Sequence, residues 1–219
     1  MIMTTIRNLE GPSINKEKNT KFLVFFLHGW GSDGNDLIQI GEMWKHQLPN
    51  ITFIAPNGPE VCSGNPNGRQ WFDILNNNNE QSLEGLHKSY LDLKAYINSF
   101  LKKYNLANNQ YFLVGFSQGT MLGLYTSLRE KLLGIVGYSG AFLGSLPSSE
   151  IKKNDYLLIH GKNDNIVPIE KMYDAVEKLE PFSNYLGKEI YDNLEHSINE
   201  EGLLKGLTFI KERLKTKIK

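Results

Sequence analysis

The sequence predicts a doubly wound α/β fold with a mostly parallel sheet. Three observations predict it. Short apolar runs recur at 22–27, 51–55, 111–114, 133–138 and 156–160. Each is rich in branched or aromatic residues and is followed by Gly, Pro, Asn or Ser, as buried parallel strands are. Helix-period segments lie between them, and strands alternating with helices imply right-handed crossovers.

In chain order, residues 1–20 read as an extension that can supply an antiparallel edge strand. The run FLVFFL at 22–27 is the longest apolar stretch, six residues, and cannot span a bilayer. ITFIA at 51–55 is the next strand. The Asn76–Asn79 run reads as a solvated loop without a function. In 82–104, Leu83, Leu86, Tyr90, Leu93, Ile97, Leu101 and Tyr104 recur every three or four residues, marking one face of a helix. Similar stripes occupy 118–129, 169–179 and 199–214, and YLGKEIY at 185–191 reads as a last strand. With no internal repeat and no linker, 1–219 is expected to form a single domain.

Composition narrows the function classes. The chain of 219 residues is 40% hydrophobic and 22% charged, as soluble globular proteins are. Lys plus Arg and Asp plus Glu both number 24, so the formal net charge is zero. That balance argues against nucleic acid or an acidic membrane as the main partner, and the shortness of the longest apolar run argues against stable membrane insertion. A lone cysteine, Cys62, allows no internal disulfide and suits a reducing compartment. The first twenty residues carry Arg7, Glu10, Lys16, Glu17 and Lys18 and lack a signal-peptide apolar run. A cytoplasmic setting is expected. A homodimer is left open.

Gly115-Phe116-Ser117-Gln118-Gly119 has the form G-x-S-x-G, the strained strand-to-helix turn that lifts a nucleophilic serine above a sheet. The pattern also arises by accident, so context decides. An apolar strand enters it, and the stripe Met121, Leu122, Tyr125, Leu128 leaves it. A serine hydroxyl is barely nucleophilic unaided and needs a base. Downstream stand only His160 and His196. His160 ends an apolar strand and reads as a core or strand-end histidine. His196 lies in a loop before the last helix and is favoured. The acid should fall between serine and histidine. Asp164, in the turn-rich GKNDNIVP after strand 156–160, lies at a strand's C-terminal end, where α/β sites gather. Asp155 is at the wrong end of that strand, Asp174 sits on a helix, and Asp192 remains a less favoured alternative. The oxyanion needs donors. The backbone N–H of Gln118 is one, and the loop His28-Gly29-Trp30-Gly31 offers that of Trp30 as the second, with His28 holding the loop. There is no H-E-x-x-H and no P-loop, so neither a metal nor an organic cofactor is expected.

FLHGWGSDGNDL (26–37), Ala55-Pro56, Trp71-Phe72-Asp73, GFSQG (115–119), HGKNDNIVP (160–168) and His196-Ser197 follow the order seen in the phospholipase/carboxylesterase family. The resemblance extends from about residue 20 to the final helix and is nearest the bacterial carboxylesterase branch. It implies the α/β-hydrolase fold, a triad of Ser117, Asp164 and His196, and oxyanion donors at Trp30 and Gln118. It also implies a small-molecule ester or thioester substrate, with acyl-protein thioesterase and lysophospholipase activity as alternatives. Two positions depart from the thioesterase pattern: Thr120, where another glycine is frequent, and Glu195, where a small or apolar residue is.

The span 139–154, where larger relatives of this fold insert a cap domain, is short here, so an open site is expected. Trp30, Trp71, Phe72 and Phe142 are candidates to line it for a modest acyl or aryl group, or equally to be core. Dienelactone-hydrolase-like enzymes carry cysteine at the elbow, against Ser117 here. An inactive scaffold kept as a binding module would ordinarily have lost one of the three triad residues.

Overall fold

A computed structural model of the chain describes residues 5–15, 19–75, 79–147 and 150–216. The chain runs β1 (Ser13–Ile14), β2 (Phe22–Leu27), α1 (Gly34–Trp44), β3 (Ile51–Ile54), β4 (Glu60–Cys62) and β5 (Asn65–Gln70). It continues through α2 (Asn79–Lys103), β6 (Tyr111–Phe116), α3 (Gln118–Ser127), β7 (Gly134–Tyr138) and β8 (Asn154–Gly161). It closes with α4 (Glu170–Leu179), β9 (Ser183–Tyr191) and α5 (Glu200–Lys215).

A seven-stranded sheet has the order β1-β3-β2-β6-β7-β8-β9. All its pairs are parallel except β1 with β3, where Ser13 faces Ile54 and Ile14 faces Phe53. The expected antiparallel edge is therefore there, two residues long. The apolar runs read as strands in the sequence fall on β2, β3, β6, β7, β8 and β9. The Asn76–Asn79 run lies outside the described residues except for Asn79, which opens α2.

The reason for unbroken apolar runs is visible in β2. Leu23, Phe25 and Leu27 enter one core, under α2, α3 and α4, while Val24 and Phe26 enter the other, under α1 and α5. Both faces of a central strand are covered, so it needs no polar alternation.

Three elements, a helix and the two strands of a hairpin, are absent from the sequence-based expectations. Helix α1 buries Leu37, Ile38, Ile40 and Trp44, and Asp33 caps it by accepting from the N–H groups of Asn35 and Asp36. The cap and stripe were legible. The hairpin β4–β5 was not, because NPNGRQ carries no apolar alternation. Since the central strands are parallel, the segments after β2, β6, β7, β8 and β9 emerge at one edge of the sheet. No helix among the described residues is long and apolar enough to cross a membrane.

Candidate active site

Ser117 stands between β6 and α3 with φ 51° and ψ −115°. A non-glycine residue in such a conformation costs on the order of 1–3 kcal/mol and persists only where its surroundings impose it. The neighbouring glycines impose it. A Cβ on Gly115 would lie 2.6 Å from the Thr120 nitrogen, and one on Gly119 would lie 1.9 Å from the Leu27 carbonyl oxygen. The Ser117 N–H donates to the Tyr138 carbonyl at 2.9 Å, tying the turn to β7. Thr120 accommodates its departure from the family pattern by donating its hydroxyl to that same carbonyl at 2.9 Å. Its side chain also fills the space above Gly137 and Gly140, where an added Cβ would strike it.

Asp164 and His196 meet, with Oδ2 of the acid 2.8 Å from Nδ1 of the imidazole. The Asp164 side chain is fully enclosed, and its Oδ1 accepts from the N–H groups of Ile166 at 3.0 Å and Val167 at 2.8 Å. Burial alone would raise its pKa. The hydrogen bonds from His196 and the two backbone amides outweigh burial and hold the carboxyl below its ordinary value. The His196 ring packs against Phe116, the residue before the serine, at 4.9 Å between centroids. Asp155 lies at the far end of β8 and pairs with Arg213, while Asp192 is exposed and pairs with Lys162.

The loop after β2 completes the arrangement. A Cβ on Gly29 would come within 3.4 Å of the Ser117 Cβ, so this loop passes beside the serine. His28 holds it: Nε2 accepts from the Gly58 N–H at 2.8 Å, so Nδ1 carries the proton and donates to the Gly29 carbonyl at 2.7 Å. Burial pushes the His28 pKa down. Among the described residues, no carbonyl takes the backbone N–H of Trp30 or of Gln118. The latter is one of the free amides at the N-terminus of α3, where the helix dipole favours an anion.

A polar scaffold backs both amides. The Trp30 indole N–H donates to Gln70 Oε1 at 3.0 Å, and Gln70 Nε2 donates to Glu60. The Gln118 carboxamide accepts from the Trp71 N–H at 2.9 Å and donates to the Phe72 carbonyl at 2.7 Å. Arg7, read in the sequence only as one of the charges near the start, joins Glu60, Ser89 and both oxygens of the buried Asp92.

An apolar cavity of about 700 Å³ opens beside α3, lined by Phe72, Ile74, Leu83, Met121, Leu143 and Gly144 among others. Of the aromatic candidates, only Phe72 is among the described lining residues. Trp71 is fully buried and spends its indole N–H on the His28 carbonyl, so its work is to brace the loop from the core. Phe142 packs into the core with Lys178 over its ring. Trp30 is clasped by the β4–β5 hairpin, where a Cβ on Gly64 would meet its ring. Met121 could have been found, since it lies one helical turn beyond Ser117.

Sheet order, elbow and loops define the class: an α/β-hydrolase with serine at the turn after β6. The profile described as phospholipase/carboxylesterase matches residues 12–214, and the chain belongs to that family. It is 26% identical over 192 residues to esterase YpfH of Escherichia coli strain K12, covering 85% of this chain and 81% of that one. It is 29% identical over 219 residues to acyl-protein thioesterase 1 of Candida albicans, covering 88% and 92%. The crystal structure of esterase PE8 superposes with a TM-score of 0.87 at 35% identity, covering 94% and 99%. The chain is a serine hydrolase acting on ester bonds.

Proposed function

We propose that Ser117, His196 and Asp164 form the catalytic triad of a hydrolase for carboxylic esters and thioesters of small to medium acyl chains. The observation that carries this reading is the 2.8 Å contact of His196 with the enclosed Asp164, set beside a serine held at φ 51°. In this reading His196 takes the Ser117 proton as Oγ attacks the acyl carbonyl. Asp164 fixes the imidazole tautomer and stabilises the imidazolium. The backbone amides of Trp30 and Gln118 receive the oxyanion, a role typically worth about 10²–10³ in rate per donor. His196 then protonates the leaving alcohol or thiol, and water repeats the cycle on the acyl-serine. The cavity lined by Phe72, Leu83 and Met121 takes the acyl chain. The relative named acyl-protein thioesterase 1 supports including thioesters. The buried, free Cys62 supports a reducing, cytoplasmic setting.

The test is a series of p-nitrophenyl esters of increasing chain length, run beside acyl-CoA and S-acyl peptides. An organophosphonate should add one mass increment, on Ser117. Ser117→Ala and His196→Ala should each lose several decades of turnover while remaining folded. Labelling at another serine, or retained turnover in Ser117→Ala, removes the assignment.

A further inference from the structure

His160 is a buried imidazole that the proposed chemistry leaves unused. It is the penultimate residue of β8 and is 1% exposed. Its Nε2 lies 2.8 Å from the Val167 carbonyl oxygen and 3.4 Å from Asp164 Oδ2. A carbonyl only accepts, so this nitrogen carries a proton. That N–H goes to Val167, and the same nitrogen lies near the carboxylate oxygen that meets His196 Nδ1 without hydrogen-bonding it. The other oxygen, Oδ1, is held by the amides of Ile166 and Val167. His160 therefore acts on the carboxylate through Val167, which it anchors by the carbonyl and whose own N–H grips Oδ1.

We propose that His160 is a positioning residue of the acid–base pair: its Nε2–H fixes the 164–167 turn and the rotation of the Asp164 carboxylate, so that Oδ2 faces His196. The inference rests on the triad reading above. Because its Nε2–H is committed to Val167, His160 serves the acid and is not a rival base.

The experiment compares His160→Leu, His160→Gln and His160→Asn in the full chain. A glutamine reaches the Nε2 position with an N–H, whereas asparagine is too short. His160→Leu should lower kcat roughly two- to tenfold, the range for one hydrogen bond to a neutral carbonyl, with KM unchanged. The downfield proton resonance of His196 Nδ1–H, identified by its loss in His196→Ala, should shift or broaden. His160→Gln should recover most of kcat and the resonance, and His160→Asn should not. Full kcat in folded His160→Leu overturns the proposal, as does an unmoved resonance. If the leucine variant fails to fold, equal kcat in the glutamine and asparagine variants overturns it. Should Ser117→Ala or His196→Ala retain turnover, the triad reading itself fails, which separates the two outcomes.

Discussion

A methyl group on Gly119 would lie 1.9 Å from the Leu27 carbonyl, with the His28 carbonyl 2.8 Å away, so the serine side of the site is fixed by exclusion. The acid–base side is fixed mainly by direction. Asp164 lies in a loop and accepts two backbone amides on Oδ1 and the His196 imidazole on Oδ2. That side uses close approach at Gly161, where a Cβ would meet the Leu194 carbonyl at 2.1 Å and bring the two loops together. The contrast teaches what each side tolerates. The elbow accepts changes of polarity more readily than added atoms. The loops accept atoms of the same shape but not a lost charge.

The sharpest way to break the comparison is Asp164→Asn. Shape is kept, charge is lost, and the wrong tautomer of His196 is favoured; in serine proteases the corresponding loss is about 10⁴ in kcat. Steady-state kinetics should give a loss of that order with KM nearly unchanged and an unaltered circular dichroism spectrum. Asp155→Asn should spare turnover. Equal losses in both variants would refute a directional acid.

Gly119→Ala does the reverse, adding an atom without touching polarity. Overpacking of this kind costs about 1–3 kcal/mol. At about 2–4 °C per kcal/mol for a chain of this size, the melting temperature should fall by several degrees. Turnover should fall at least tenfold as α3 is pushed off β2. A variant as stable and active as the parent would show that the elbow is not sterically set.

The smallest effect concerns His28, the buried imidazole behind the oxyanion loop. Its folded pKa lies below its ordinary value of 6.5. As pH falls below that value, the unfolded chain takes up a proton that the folded chain refuses, so stability falls with falling pH in that window. Asp164, whose pKa is also depressed, contributes stability above its ordinary value of 3.8 that is lost only as pH falls further. Urea midpoints from pH 5 to 8 should therefore decline toward the acid end. His28→Asn should lessen that decline, the remainder belonging to His87, whose pKa burial also lowers, and Asp164→Asn should leave it. An unchanged slope in His28→Asn would place the sensitivity elsewhere.

Strands with both faces buried were legible because nothing polar interrupts their centres, and Ser117 and Asp164 were legible because each follows such a strand; β9, before His196, is polar and half-exposed, and that histidine was legible from chain order and its loop before the last helix. Aromatic character alone could not tell a wall from a brace. Trp71 and Phe72 are neighbours, yet one holds the His28 carbonyl and the other backs the cavity. The hairpin around Gln70 was illegible for a different reason. Its residues matter through what they hold, Glu60 across the hairpin and the Trp30 indole 40 residues away. His160 read as a strand-end histidine, which it is. Its nearness to Asp164 depends on the turn of the loop, which spacing does not encode.

Arg7 is made early and is satisfied late. Its partner Glu60 follows 53 residues behind and Asp92 follows 85 residues behind. At about 5–20 residues per second, a nascent chain waits roughly 4–17 seconds between synthesising this guanidinium and synthesising the carboxylate that receives it. The strap from Arg7 to Pro12, which also gives Leu9 to the core and pairs with Ala55 and Asn57, can lock only after α2 has been translated. The strap is thus fastened by contacts that span the β4–β5 hairpin and most of α2, and none of its carboxylate partners is a near neighbour in the chain.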